Sequence, residues 1–163
     1  MAIKALIFDW GDTIMGDLPF EGAMKNWPFV FLLPEVEAML SQLKDNYLLV
    51  MASNADDSSS NDIIEALRRV GVDRYFHHVF SSSDIGFEKP HPKFFQYIQQ
   101  ELKLEETELV MIGNSCEKDI QGAKSVAWKT IWFNENKESQ QECEQADATI
   151  YQLSALLEII ENI

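Results

Sequence analysis

Basic residues are scarce in this chain: 13 Lys and Arg stand against 27 Asp and Glu among 163 residues, a formal net charge of −14. Such a surface repels polyanions, which excludes nucleic acid and anionic membranes as partners. An anionic substrate would need a locally positive site. Cysteine is rarer still. Cys116 and Cys143 have neither the spacing of a metal site nor that of a disulfide framework, and they read as free thiols of a reducing cytosol. No apolar run approaches the roughly 18 residues of a membrane span. Met1-Ala2-Ile3-Lys4 opens no signal-peptide pattern, so a cytoplasmic protein is expected. Glycine and proline are few, yet Gly16, Pro19, Gly22 and Pro28 crowd into one stretch. The rest of the chain is left free to form regular elements.

What remains is enough for one core. A 46% apolar fraction over this length fits a single compact domain, residues 1–163. Short apolar runs recur at Ile3 to Phe8, Tyr47 to Ala52, His77 to Phe80, Leu109 to Ile112, Thr130 to Phe133 and Ala148 to Ile150. Helix-like stretches separate them: Pro34 to Lys44, Asn61 to Val70, Pro92 to Leu102, Lys118 to Val126 and Leu153 to Ile160. Pro34 suits a first helical turn, Ser60-Asn61 an N-cap and Gly71 a C-terminal stop. Strands apolar on successive residues are buried on both faces. The alternation therefore predicts an α/β fold with a mainly parallel sheet between helices. Residues 14–33, with Phe20, Trp27, Phe29 and Phe31, are too broken for a helix and too aromatic for an ordinary loop. They are expected to form a short lid-like segment. The stretch from Asn134 to Gln145 reads as a solvated excursion.

In a parallel sheet the groups that follow the strands gather at one edge, and here they are chemically coherent. Asp9 ends the first run and opens Trp10-Gly11-Asp12-Thr13. Ser53-Asn54 follow the second, Lys89-Pro90-His91-Pro92 come after the third, and Gly113-Asn114-Ser115 through Asp119 follow the fourth. A nucleophilic carboxylate, a hydroxyl, a lysine and an acidic loop are the parts phosphoryl transfer needs. His77 and His78 read as packing or surface residues.

These four motifs, in this order, resemble the haloacid dehalogenase-like (HAD) superfamily over nearly the whole chain. The resemblance implies a three-layer Rossmann-like domain without a large cap, acting as a Mg²⁺-dependent phosphatase. It implies Asp9 as nucleophile, with an aspartyl-phosphate intermediate, and Ser53 and Lys89 as catalytic partners. Ser53, Asn54, Lys89 and Trp10 would meet the substrate. Asp9, the Gly11 carbonyl, Asn114 and Asp119 would hold Mg²⁺, with Glu117 nearby. A capless member implies a phosphorylated small molecule or a bulkier phospho-substrate, and a second copy of the chain as a lid.

Two positions depart from the family pattern. Its usual acid toward the leaving group lies two residues beyond the nucleophile, where this chain has Gly11. Asp12 is displaced by one residue and is expected to be bypassed. That predicts low efficiency on poor leaving groups, since a general acid is worth about 10²–10⁴-fold. Asn114 replaces a carboxylate, which predicts weaker Mg²⁺ binding. Both departures leave open a weakly active phospho-ligand or protein-binding module. They also admit, at lower rank, a 2-haloacid dehalogenase, although residues 14–33 contain no arginine.

Overall fold

The computed structural model describes residues 2–163. Six parallel strands form one sheet: β1 Ala5–Phe8, β2 Leu48–Ser53, β3 His78–Ser81, β4 Leu109–Gly113, β5 Lys129–Phe133 and β6 Ala148–Ile150. Their spatial order is β3-β2-β1-β4-β5-β6, with every neighbouring pair parallel. The chain winds outward from β1 to β3, then returns to β4 on the opposite side of β1. That reversal leaves a crevice beyond the C-terminal ends of β1 and β4.

Successive side chains of these strands enter different cores. Leu6, Phe8, Leu49, Met51, Val110 and Ile112 pack with helices α1 (Val36–Leu43), α2 (Ser60–Arg69) and the C-terminal helix at Leu156–Asn162. Ala5, Ile7, Val50, Ala52, Leu109 and Met111 pack on the other face with Phe94, Phe95 and Ile98 of the helix at Pro92–Leu102. The result is three layers, as the unbroken apolar strands imply.

Helix boundaries shift where side chains compete for the backbone. Pro34 is not in α1, because Glu35 adopts a left-handed φ of 71° ahead of Val36. Its carboxylate accepts a hydrogen bond from Ser154 N at 2.8 Å. Ser59, rather than Ser60, caps α2 and forms a reciprocal capping box with Asp62. Gly71 stops that helix at φ 76°. The expected helix from Lys118 begins instead as a wide π-helical turn over Cys116–Gln121, where Ile120 N reaches back to Ser115 O at 3.3 Å. Ser82–Ile85 adds a short helix that the residue pattern does not announce.

The two cysteines are not free thiols. Cys116 and Cys143 form a disulfide that ties the turn after β4 to the excursion after β5. Their sequence separation of 27 hides the pairing from any local pattern. A closed loop of that length contributes about 3–4 kcal/mol in the chain-entropy account. Among the described residues no helix is long and apolar enough to cross a membrane.

Candidate active site

The crevice holds a cleft of about 430 Å³ lined by residues that follow the first four strands, including Asp9, Ser53, Lys89, Asn114 and Asp119. Asp9 sits at the tip of β1, its N–H still bonded to Ile112 O at 2.9 Å. The lysine is the centre of the arrangement. Lys89 Nζ donates to Asp9 Oδ1 at 2.8 Å, to Asp119 Oδ1 at 2.7 Å and to Ala52 O at 2.9 Å. Its three protons are thus fully used, which burial of an ammonium requires.

This trio carries two carboxylates and one ammonium, and their titration follows from that count. Burial opposes the charge on Lys89, but Asp119 and Asp9 outweigh it and push the lysine above its ordinary range. Burial and then the charge of Asp9 raise Asp119, against the pull of Lys89. The lysine remains charged, and the cost of crowding two carboxylates falls on Asp119, which is only 1% exposed and holds its negative charge less readily.

Surrounding groups hold the trio still. Asp119 Oδ2 accepts a hydrogen bond from Ser115 N at 3.0 Å. A Cβ on Gly113 would collide with that carboxylate, so only glycine lets β4 approach it. Asn54 brackets Lys89: its Nδ2 donates to Lys89 O at 2.8 Å, and Lys89 N donates to its Oδ1 at 2.7 Å. The Asn54 amide, expected on the substrate, lines the cleft and positions the lysine backbone. Trp10 turns inward, 5% exposed, with Nε1 on Met15 Sδ at 3.2 Å. Ser53 is buried at the cleft wall, and among the described residues no protein group bonds its hydroxyl.

Sequence reasoning passed over two residues. Thr13 is fully buried and places Oγ1 3.2 Å from Asp9 Oδ2 and 3.5 Å from Asn114 Oδ1. A hydroxyl four residues beyond the strand-end aspartate, in the same turn, was the available signal. Trp132 Nε1 donates to Asn114 O at 2.9 Å and fixes the loop that carries the amide. No such local signal exists for Trp132. Lys118 also lines the cleft, as an exposed cation at its mouth.

The oxygen atoms beside Asp9 suit a hard cation. Asp9 Oδ2 and Asn114 Oδ1 converge on Thr13 Oγ1 and are therefore close together. They are hard oxygen donors of the kind Mg²⁺ accepts. Both Asp119 oxygens already have partners. Among the described residues no three His, Cys, Asp or Glu side chains cluster as a metal centre. The residues present fit Mg²⁺, with charge from the Asp9 carboxylate and a neutral oxygen from Asn114.

The rim is acidic and differs from the floor. Asp12 adopts a left-handed φ of 59°, and its Oδ1 accepts a hydrogen bond from Asp17 N at 2.9 Å. Burial, then the charges of Asp12 and Asp9, raise the Asp17 carboxyl above its ordinary range. The segment 14–33 closes at its base, where Leu33 N donates to Ile14 O at 3.0 Å and Gly16 N to Phe31 O at 3.1 Å. Arg69 of α2 holds its far end through Met24, Lys25 and Trp27 carbonyls.

Comparison with known proteins agrees with this geometry. Residues 20–127 match a family model described as haloacid dehalogenase-like hydrolase. The glyceraldehyde 3-phosphate phosphatase of Pyrococcus furiosus is 37% identical over 101 residues, which are 60% of this chain and 42% of that protein. The human N-acylneuraminate-9-phosphatase is 33% identical over 106 residues, 64% of this chain and 42% of its own. The chain thus spans about half the length of the curated relatives it matches, or less. Among solved structures, a HAD phosphatase from Thermococcus onnurineus aligns with a TM-score of 0.82 at 22% identity, covering 97% of this chain and 98% of that one. A putative HAD-hydrolase of Bacillus subtilis bound to magnesium aligns at 0.81 and 19% identity over 100% of both chains.

Proposed function

The chain belongs to the haloacid dehalogenase-like hydrolase family, and on that footing we propose that it is a Mg²⁺-dependent phosphate monoester hydrolase. The observation that carries this reading is the single buried ammonium shared by Asp9 and Asp119 beside an open cleft. Lys89 holds the Asp9 carboxylate in place at the cleft, as a nucleophile must be held. In the first half-reaction an Asp9 oxygen bonds to phosphorus while the ester P–O bond breaks. In the second, water bonds to phosphorus and the Asp9–phosphorus bond breaks, releasing phosphate and regenerating the carboxylate.

The Ser53 hydroxyl and Lys89 would bind phosphoryl oxygens, with Lys118 at the cleft mouth adding positive charge, and Asn54 holds Lys89 in register. Asp9, the Gly11 carbonyl, Asn114 and Asp119 would hold Mg²⁺, which would supply charge neutralisation at the phosphoryl oxygens. A phosphorylated small molecule, of the class named for the curated relatives, fits the cleft. A lid from a second copy, over the exposed Phe29 and Phe31, belongs to the same proposal. So does a cytoplasmic setting, where the Cys116–Cys143 bond would face reducing conditions.

Hydrolysis of p-nitrophenyl phosphate with and without Mg²⁺, by wild type and Asp9→Asn, tests the reading. Wild type is expected to turn over with Mg²⁺, and the variant to lose more than about 10³-fold. Activity independent of Mg²⁺, or activity that survives Asp9→Asn, would contradict it.

A further inference from the structure

Breaking an ester to an ordinary alcohol requires a proton at the departing oxygen, and position 11 supplies none. Gly11 does not adopt a positive φ, so its backbone has no need of glycine. The space beside it is already filled. A Cβ built on Gly11 would lie 3.3 Å from Asp17 Cβ, 3.6 Å from its carboxyl carbon and 3.7 Å from Oδ2. The Asp17 carboxyl therefore stands where the side chain of an acid at position 11 would reach. It also lines the cleft together with Asp9.

The neighbouring residues explain how it is held there. Asp12 N donates to Met15 O at 2.7 Å, which closes the turn, and the Asp12 carboxylate binds Asp17 N. Gly16, just before Asp17, lies under the Phe31 ring and has no room for a side chain. Asp12 thus positions Asp17 instead of replacing it. The other rim carboxyls, Asp56 and Asp57, follow β2 and lie outside this turn.

We propose that Asp17 is the general acid of the phosphatase reaction, so that the substrates include phosphate monoesters of alcohols. The proposal rests on the phosphatase reading above. As the Asp9 oxygen bonds to phosphorus and the ester P–O bond breaks, the Asp17 proton passes to the departing alcohol oxygen. In the second half the Asp17 carboxylate takes a proton from the attacking water, whose oxygen bonds to phosphorus as Asp9 is released. Protons balance over the cycle, and Asp17 ends protonated.

The test compares wild type, Asp17→Asn and Asp12→Asn on p-nitrophenyl phosphate and on glycerol 2-phosphate, both with Mg²⁺. For Asp17→Asn the fall in kcat/KM on the alkyl ester should exceed that on the aryl ester by about 10²-fold or more. Asp12→Asn keeps a side-chain oxygen that accepts from Asp17 N and should leave the ratio between the two esters unchanged. Gly11→Asp in an Asp17→Ala background should regain at least about tenfold on the alkyl ester, because it returns a carboxyl to the same space. Equal losses on the two esters for Asp17→Asn would overturn the assignment, as would an ester-selective loss for Asp12→Asn. A wild type active only on the aryl ester overturns the assignment alone. A wild type inactive on both overturns the phosphatase reading and the assignment with it.

Discussion

The floor of the cleft and its rim follow different rules. On the floor, Asp9, Lys89 and Asp119 sit at or near the ends of buried strands, and each polar atom has a named partner. On the rim, Gly11, Asp12, Asp17 and Asn114 stand on turns, and their chemistry is redistributed among neighbours. The contrast teaches where this scaffold tolerates change. A buried ammonium between two carboxylates cannot lose a member without leaving an unpaired charge. A rim carboxyl can move to another turn, provided it reaches the same space.

The largest effect should come from breaking the floor. Lys89→Ala leaves Asp9 and Asp119 without their cation and is expected to destabilise the fold by about 3–5 kcal/mol. Urea unfolding monitored by circular dichroism measures this, and a loss below about 1 kcal/mol would place the trio among solvated ion pairs.

A rim substitution should sharpen the comparison by improving the site. Asn114→Asp adds a charged oxygen beside Asp9, and Mg²⁺ should saturate activity at roughly tenfold lower concentration. An unchanged or weakened half-saturation would remove Asn114 from the cation site.

The smallest effect lies where the rim is fastened to α2. Hydrogen bonds from Lys25 and from the Ser59 backbone and side chain lower Asp62 to about 2. A depressed carboxyl stabilises the fold above its unfolded value and ceases to as pH falls through its folded value. The fastening of residues 14–33 should therefore weaken between about pH 4 and about pH 2. The Asp62 carboxyl carbon shift, followed by NMR, should show a midpoint near 2 that rises in Lys25→Met. A midpoint at the ordinary 3.8 would mean that Lys25 and the cap leave it unperturbed.

The same contrast decides what could be read from the residues alone. Asp9, Ser53, Lys89 and Asp119 were legible because a buried parallel strand is a local pattern and its end is a fixed place. The sheet followed from the same runs, within a residue or two at each end. The partner of Asn54, the role of Trp132 and the Cys116–Cys143 pairing were not, since each depends on a contact that only the fold brings near. Asp17 lies six residues from Gly11 in sequence, yet its place depends on how the intervening turn closes. The π-helical turn was missed because Ser115 and Asp119 bend the backbone in ways that helix periodicity does not report.

The central claim is that Asp9 takes the phosphoryl group from the substrate. Rapid acid quenching during turnover, followed by intact-mass and peptide analysis, tests it most directly. The account predicts one added phosphoryl group per chain on the peptide that contains Asp9, and none in Asp9→Asn. A wild type that turns over without this adduct, or an Asp9→Asn chain that still acquires it, would contradict the account.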